Sequence, residues 1–235
     1  GPVTGHPIGG SGRHSVGAKS PLTGGYGDGE AGGFWGMELK RAGFDAIIVE
    51  GQADSPVYLW VHDGQAEIAD ARHLWGQPTA AVEATIRSER GDRQIKVAQA
   101  GPAAERLVRF ACLLNDVNRA AGRTGLGAVM GSKNLKAIAM RGTRDIKVAR
   151  LDDFMEYVKE FHERMKGPAT QKYRTLGTPE NVLVHNSLSC MPTRNYNNSR
   201  FEGAEKVSGE VLNDKFVAKI IGCSSCAMRC EHMCV

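Results

Sequence analysis

A chain of 235 residues, of which 41% are hydrophobic and 24% are charged, is long enough to bury a core, and we expect a globular protein of one or two domains. The formal net charge of +4 is too small to indicate nucleic-acid binding, although it suits a small anionic ligand. The sequence contains no signal-peptide pattern and no apolar run of about 20 residues, so we expect a cytoplasmic protein. Four of its six cysteines cluster at the end of the chain, which favours a metal site over a disulfide framework.

Residues 1–36 are unusually rich in glycine. This composition excludes a helix, and the apolar side chains placed between the glycines favour an ordered region of loops and strands over a flexible linker. Glycine also lets the backbone approach a ligand closely, so that N–H groups can point at phosphate. Arg13 and His14 are the side chains of this stretch that could contact an anion, and either could equally lie on the surface.

The middle of the chain alternates short strand and helix patterns. We predict strands at 46–50, 57–61, 65–69, 94–98 and 136–140, and a helix at 79–90. Because the order lacks a regular βαβ rhythm, the predicted fold class is α+β rather than a doubly wound sheet.

Residues 118–136 combine glycines with basic side chains. The glycines are Gly122, Gly125, Gly127 and Gly131, and the basic residues are Arg119, Arg123, Lys133 and Lys136. Close backbone approach with cationic side chains indicates a site that grips a phosphate. The alternative is a glycine-packed helix with a solvated basic edge.

A boundary is expected near 142–150, and helical patterns follow it. We predict a helix at 151–166 with one apolar stripe, a second helix after 177–180 that holds His185, a polar turn at 192–196, and a helix at 209–221 that Gly222 ends. His185 is interpreted as a core or surface histidine, with a functional role as the alternative.

Cys223, Cys226 and Cys230 have C-x2-C-x3-C spacing, which offers three soft sulfur ligands to one metal centre. An iron–sulfur cluster, a zinc site completed by His232 or Cys234, and cysteines without a metal all fit this spacing.

Several stretches together, in this order, resemble the tungsten-containing aldehyde ferredoxin oxidoreductases. They are Gly-Pro-Val-Thr-Gly at 1–5, Lys-Ser-Pro-Leu-Thr-Gly at 19–24, Ala-Gly-Gly at 31–33, Arg-Ala-Ala-Gly-Arg at 119–123 through 131–139, Pro-Thr-Arg-Asn-Tyr at 192–196, and the cysteine loop. The resemblance implies a β-rich N-terminal cofactor platform at 1–145, incomplete at its N-terminus, and the start of an α-helical domain at 146–235.

The resemblance also implies a tungsten bis-pyranopterin cofactor, Mg²⁺ and a [4Fe–4S] cluster. Arg13 matches the family arginine between cofactor and cluster, and Gly32 and Gly33 fall in the first pterin loop. Arg119, Ala120, Gly122 and Arg123 fall in the second loop, and Cys223, Cys226 and Cys230 match three cluster ligands. Glu30 and Ala31 stand where family members often carry asparagine and serine, so the magnesium contact is not assigned to them.

The implied activity is oxidation of an aldehyde to a carboxylic acid, with tungsten or molybdenum as the metal, in an oligomeric enzyme. Electrons would pass through the cluster to ferredoxin or an iron–sulfur partner subunit. The alternative within the family is the tungsten subunit of a class II benzoyl-coenzyme A reductase, in which His185 would donate a proton. The alternative of another class is a non-catalytic iron–sulfur electron-transfer subunit. The family's fourth cysteine and its acid–base residues lie downstream of the matched motifs, so we expect this chain to be a piece of a longer polypeptide.

Overall fold

The computed structural model describes residues 1–235 and divides them into two units, Gly1–Ala149 and Arg150–Val235. The first unit contains β1 His14–Lys19, β2 Tyr26–Ala31, α1 Trp35–Arg41, β3 Val57–His62, β4 Gln65–Asp70, α2 Thr79–Glu89, β5 Lys96–Ala100, α3 Pro102–Glu105, β6 Leu113–Asn115, β7 Arg119–Ala121, α4 Leu126–Ser132 and β8 Leu135–Arg141. The second unit contains α5 Leu151–Lys166, α6 Pro168–Leu176, α7 Asn181–Ser187, α8 Gly209–Lys215, β9 Val217–Ile221 and β10 Glu231–Cys234. The predicted α+β class is confirmed.

The first unit is built on a mixed six-stranded sheet with the order β4-β3-β8-β5-β6-β7. Strand β8 lies near the centre, parallel to β3 and antiparallel to β5. Because side chains alternate along a strand, Ile138 and Met140 join one hydrophobic core while Ala137 and Ala139 join another. Helices α1 and α4 contribute to the first core and α2 to the second, so the sheet is covered on both faces.

Strands β1 and β2 form a separate antiparallel ribbon, which pairs His14 with Ala31 and Lys19 with Tyr26. Its turn is organised by Ser20, whose hydroxyl accepts hydrogen bonds from the backbone N–H groups of Leu22 and Thr23, both at 3.2 Å. The same hydroxyl donates to the carbonyl of Thr124 at 2.7 Å. The expected order of residues 1–36 is confirmed, and the ribbon is attached directly to the second glycine-rich stretch.

The strand predicted at 46–50 is wrong, because these residues have no regular secondary structure. Both edges of β3 are occupied by β4 and β8, so residues 46–50 do not pair with the strand that follows them in the chain. The apolar side chains of the segment contribute to packing instead, since Ile47 lies against the first core. The other predicted strands and the helix at 79–90 are present with shifts of one or two residues at their ends.

The helix predicted at 209–221 is also wrong beyond its first half. Helix α8 ends at Lys215, and Val217–Ile221 is a strand that pairs with β10, placing Ile221 opposite Glu231. Valine and isoleucine in this segment favour an extended backbone once a partner strand is present.

The remaining predictions in the second unit are largely confirmed. Helix α5 has the predicted bounds, although only Val158 and Met165 of its apolar stripe are buried. The polar turn at 192–196 is closed by a bridge between Thr193 and Asn198. No helix of either unit combines the length and apolar character that crossing a membrane requires.

Candidate cofactor and metal sites

Two loops that lie far apart in the sequence meet in the first unit. Residues 32–34 follow β2, and residues 116–118 form the turn between β6 and β7. The backbone N–H of Phe34 donates to Oδ2 of Asp116 at 2.7 Å, and Nδ2 of Asn115 donates to the carbonyl of Gly32 at 3.0 Å. The two loops predicted to hold a pterin therefore form one surface, which we call the cradle: residues 32–34 and 115–123.

The predicted cofactor residues are distributed over this cradle and the adjoining ribbon. Gly33 is buried and Gly32 is half-buried, whereas Ala120, Gly122 and Arg123 are exposed and Arg119 is partly exposed. A Cβ added at Gly122 would meet no atom closer than Ala120 Cβ at 3.9 Å, so the backbone there is open to an incoming group. This combination of exposed backbone and basic side chains suits a phosphate-bearing ligand.

Arg13 lies directly before β1. Its neighbour His14 pairs with Ala31, the residue that precedes the cradle, so Arg13 lies near the cradle. Its guanidinium is 3.8 Å from the carboxylate of Glu30, and the hydroxyl of Ser15 lies 3.3 Å from the same carboxylate. Both Arg13 and Glu30 are exposed. Glu30 therefore contacts the arginine that the family resemblance places at the cofactor.

The second half of residues 118–136 has a structural role, because it forms helix α4 with packed glycines, as the alternative interpretation of this stretch predicted. In α4, a Cβ at Gly127 would collide with the carbonyl of Cys112, and one at Gly131 with the carbonyl of Ala104. The expected phosphate contact by Lys136 is wrong, because this lysine is completely buried and paired with Glu105.

Lys133 is also engaged within the protein, since its Nζ donates to the carbonyl of Gly51 at 2.8 Å. Of the basic residues in this stretch, Arg119 and Arg123 remain at the cradle.

His14 does not serve as a cationic anion contact. Its ring is buried, lies 4.7 Å from the ring of Trp35, and has no hydrogen-bond partner at either nitrogen. Burial lowers the pKa of His14 from 6.5 to about 4, and the nearby charge of Asp116 opposes this shift only in part. The imidazole is therefore neutral at physiological pH.

A cavity of about 380 Å³ lies beside His14 and is lined mainly by apolar side chains, among them Val16, Trp35 and Ile138. None of the cradle residues lines it. Arg13 lines it as well, so the cavity reaches one predicted cofactor residue, although its mainly apolar wall is unsuited to phosphate.

The three cysteines lie in a hairpin loop, residues 222–230, between β9 and β10. The backbone N–H of Cys226 donates to the carbonyl of Cys223 at 3.2 Å, and Nε2 of His162 lies 3.1 Å from the carbonyl of Ser225. All thiols are free, with Cys223 and Cys226 partly buried and Cys230 exposed. No group of three His, Cys, Asp or Glu side chains is placed to hold a metal ion, so the loop brings the thiols to one turn without closing them into a site.

Comparison with known proteins identifies the family. Residues 1–142 match "Aldehyde ferredoxin oxidoreductase, N-terminal domain", and residues 156–235 match "Aldehyde ferredoxin oxidoreductase, domains 2 & 3". The chain belongs to the aldehyde ferredoxin oxidoreductase family. The resemblance inferred from the motifs is thus confirmed.

Within this family, the chain is 44% identical to a tungsten-containing aldehyde ferredoxin oxidoreductase of Pyrococcus abyssi and 43% identical to one of Pyrococcus furiosus. Each match covers 99% of this chain and 39% of the relative, so the chain spans about two fifths of their length. An aliphatic sulfonate oxidoreductase, WOR-like subunit, of Pyrococcus furiosus is 32% identical over 98% of this chain and 38% of its own.

A similar solved structure is the active-site complex BamBC of benzoyl coenzyme A reductase with 1,5-dienoyl-CoA. It has a TM-score of 0.80 and 30% identity, and the match covers 98% of this chain and 37% of that one. Family membership implies a tungsten–pterin group and an iron–sulfur cluster.

The donor groups of this chain suit both cofactors. In the cradle, Oδ1 of Asn115 is buried without a hydrogen-bond partner, next to exposed backbone and arginines. Such unpaired buried acceptors are costly unless a donor meets them, and the amino edge of a pterin is a donor. In the cysteine loop, three thiols supply the soft ligands that iron–sulfur clusters use.

Sequence reasoning missed Asn115 and Asp116, although an Asn-Asp pair ahead of a short turn is a detectable signal. His185 lies exposed on α7.

Proposed function

We propose that this chain forms the cofactor-binding part of a tungsten-dependent oxidoreductase that oxidises aldehydes to carboxylic acids, with molybdenum as the alternative metal. The observation that carries the proposal is the meeting of loops 32–34 and 115–123 in one cradle with open backbone and basic side chains. The 43–44% identity to tungsten-containing aldehyde ferredoxin oxidoreductases over 99% of the chain supports the choice of substrate class.

In this proposal the domain at 1–145 holds the pterins. The backbones at Gly32, Gly33, Ala120 and Gly122 would approach the cofactor and its Mg²⁺, because glycine and alanine leave backbone N–H groups accessible to phosphate. The guanidinium groups of Arg13, Arg119 and Arg123 would neutralise phosphate charge.

The domain at 146–235 supplies Cys223, Cys226 and Cys230 to a [4Fe–4S] cluster. When bound, the metal–pterin group supplies two-electron redox chemistry and the cluster supplies one-electron transfer. The aldehyde and one water become a carboxylic acid, and two electrons and two protons leave. The electrons pass to ferredoxin or an iron–sulfur partner subunit of an oligomeric, cytoplasmic enzyme.

A second candidate is the tungsten subunit of a class II benzoyl-coenzyme A reductase, which the structural likeness to BamBC favours. Its 30% identity is lower than the 44% shared with an aldehyde oxidoreductase, so we rank it second. A subunit that carries only an iron–sulfur cluster is a weaker candidate, because the cradle would have no ligand.

Metal analysis of the purified full-length protein tests the proposal. We expect tungsten or molybdenum together with about four irons per chain, and reduction of a viologen dye when an aldehyde is added. Zinc alone would refute the cofactor assignment. Dye reduction that requires a cyclic dienoyl-coenzyme A ester instead of an aldehyde would favour the second candidate.

A further inference from the structure

One carboxylate joins the two halves of the cradle. Oδ2 of Asp116 accepts hydrogen bonds from the backbone N–H of Phe34 at 2.7 Å and from Nδ2 of Asn115 at 3.0 Å. The same Nδ2 of Asn115 donates to the carbonyl of Gly32 at 3.0 Å. Loops separated by about eighty residues of chain are therefore linked by two hydrogen bonds, and a third joins the two adjacent side chains that make them.

The backbone on both sides is shaped for this contact. Gly33 has φ +101°, and a Cβ there would collide with Oδ2 of Asp116 and come within 3.1 Å of Arg119 Cγ. Asp116 and Val117 have φ values of +50° and +64°, a conformation that side-chain-bearing residues rarely adopt. Such positions persist where surrounding contacts determine them, and they concentrate at ligand clamps.

We propose that Asp116 is a positioning residue that sets the spacing between the first and second pterin loops, so that both contact the same cofactor. This inference rests on the proposed function. Asp116 does not act as a phosphate contact, because its negative charge would repel phosphate. Its Oδ2 is instead committed to backbone and amide donors, which fixes where the N–H groups of the first loop lie relative to the arginines of the second.

The test separates spacing from charge by two substitutions in the full-length protein. Asp116→Asn keeps an acceptor oxygen at the same reach but removes the charge. Asp116→Glu keeps the charge and lengthens the side chain by one methylene. Asp63→Asn is the matched control, because Asp63 also accepts a backbone N–H, that of Thr143 at 2.8 Å, away from the cradle.

Four quantities are measured for each variant: tungsten per chain, pterin per chain from the fluorescence of the released oxidised pterin, iron per chain, and hydrogen exchange of the Phe34 amide. We expect Asp116→Glu to lower tungsten and pterin about tenfold and to speed Phe34 exchange, with iron unchanged. Asp116→Asn and Asp63→Asn should hold tungsten within about twofold of wild type.

The outcomes distinguish the inference from the function on which it rests. Wild-type protein without pterin refutes the proposed function. Wild-type protein with pterin, together with an Asp116→Glu variant that keeps it, refutes only the positioning role. If the glutamate variant does not fold, the asparagine variant decides: loss of its tungsten while Phe34 stays protected would show that charge, not spacing, matters.

Discussion

His14 makes the stability of the first unit depend on pH, and His14→Phe should remove that dependence. The histidine is neutral in the folded protein because burial lowers its pKa to about 4, whereas in the unfolded chain the pKa is 6.5. Between these values the unfolded chain binds a proton that the folded protein does not. The contribution of His14 to the free energy of unfolding is therefore fully present above pH 6.5 and is lost as the pH falls toward 4.

The size of the effect follows from the difference between the two pKa values. Going from about pH 7.5 to about pH 5, the free energy of unfolding should fall by about 2 kcal/mol through His14 alone, at about 1.4 kcal/mol per pKa unit. The phenylalanine keeps a ring against Trp35 and removes two buried nitrogens that lack partners, so it should cost little at neutral pH.

Tryptophan fluorescence during urea unfolding is a suitable assay, because Trp35, Trp60 and Trp75 all lie in the first unit. The wild type and His14→Phe are compared at both pH values, which cancels the contributions of other titrating groups. The variant should gain about 2 kcal/mol relative to wild type on acidification. A stability difference that is the same at both pH values would refute the buried, neutral state of His14.

Four further substitutions test the division of roles in the second glycine-rich stretch and the cysteine loop. Gly127→Ala should destabilise the fold by about 1–3 kcal/mol, because its Cβ collides with the backbone of Cys112. Gly122→Ala should leave the melting temperature unchanged and lower pterin content. Equal melting temperatures for the two variants would contradict this assignment. Arg123→Ala should weaken pterin retention about tenfold, because a guanidinium–phosphate contact is lost. The loss is no larger because Arg123 is exposed and solvent screens the contact. Retention at the wild-type level would place Arg123 outside the site. Cys226→Ser should abolish the broad visible absorption and lower iron content, and unchanged iron would exclude a cluster in this loop.

Local pattern was sufficient for much of the fold. The short apolar run in β8 and the apolar face of α2 predicted the central strand and its covering helix, because the residues of both are buried. The segment at 46–50 is rich in β-branched residues but forms no strand, and both edges of β3, the strand that follows it, are occupied by β4 and β8. Edge availability depends on the pairing of β3 with β8, about 78 residues further along the chain, and a local window does not contain that information.

The candidate site shows the same division between local and distant information. Gly33 and Gly122 lie in stretches whose glycine density is visible along the sequence, and the family resemblance implied their place in the pterin loops. Asp116 was not predicted, since its role depends on an 82-residue separation from Phe34. Lys136 was counted among the basic residues of the phosphate pattern although it also begins the predicted strand 136–140, and nothing near it in the sequence shows that Glu105 lies opposite it.

The cysteine loop shows how an incorrect local structure can leave a chemical prediction intact. The spacing argument placed the thiols after a helix, but they follow strand β9 and are enclosed by its pairing with β10. A hairpin fixes both ends of the nine-residue loop, whereas a helix end would fix only one. With Ile221 held opposite Glu231 and His162 at the carbonyl of Ser225, the chain between Cys223 and Cys230 is restrained at its base and near its middle. Restraint of this kind lowers the conformational entropy lost when three thiolates bind one cluster, so the hairpin suits the proposed ligand role better than the predicted helix end did.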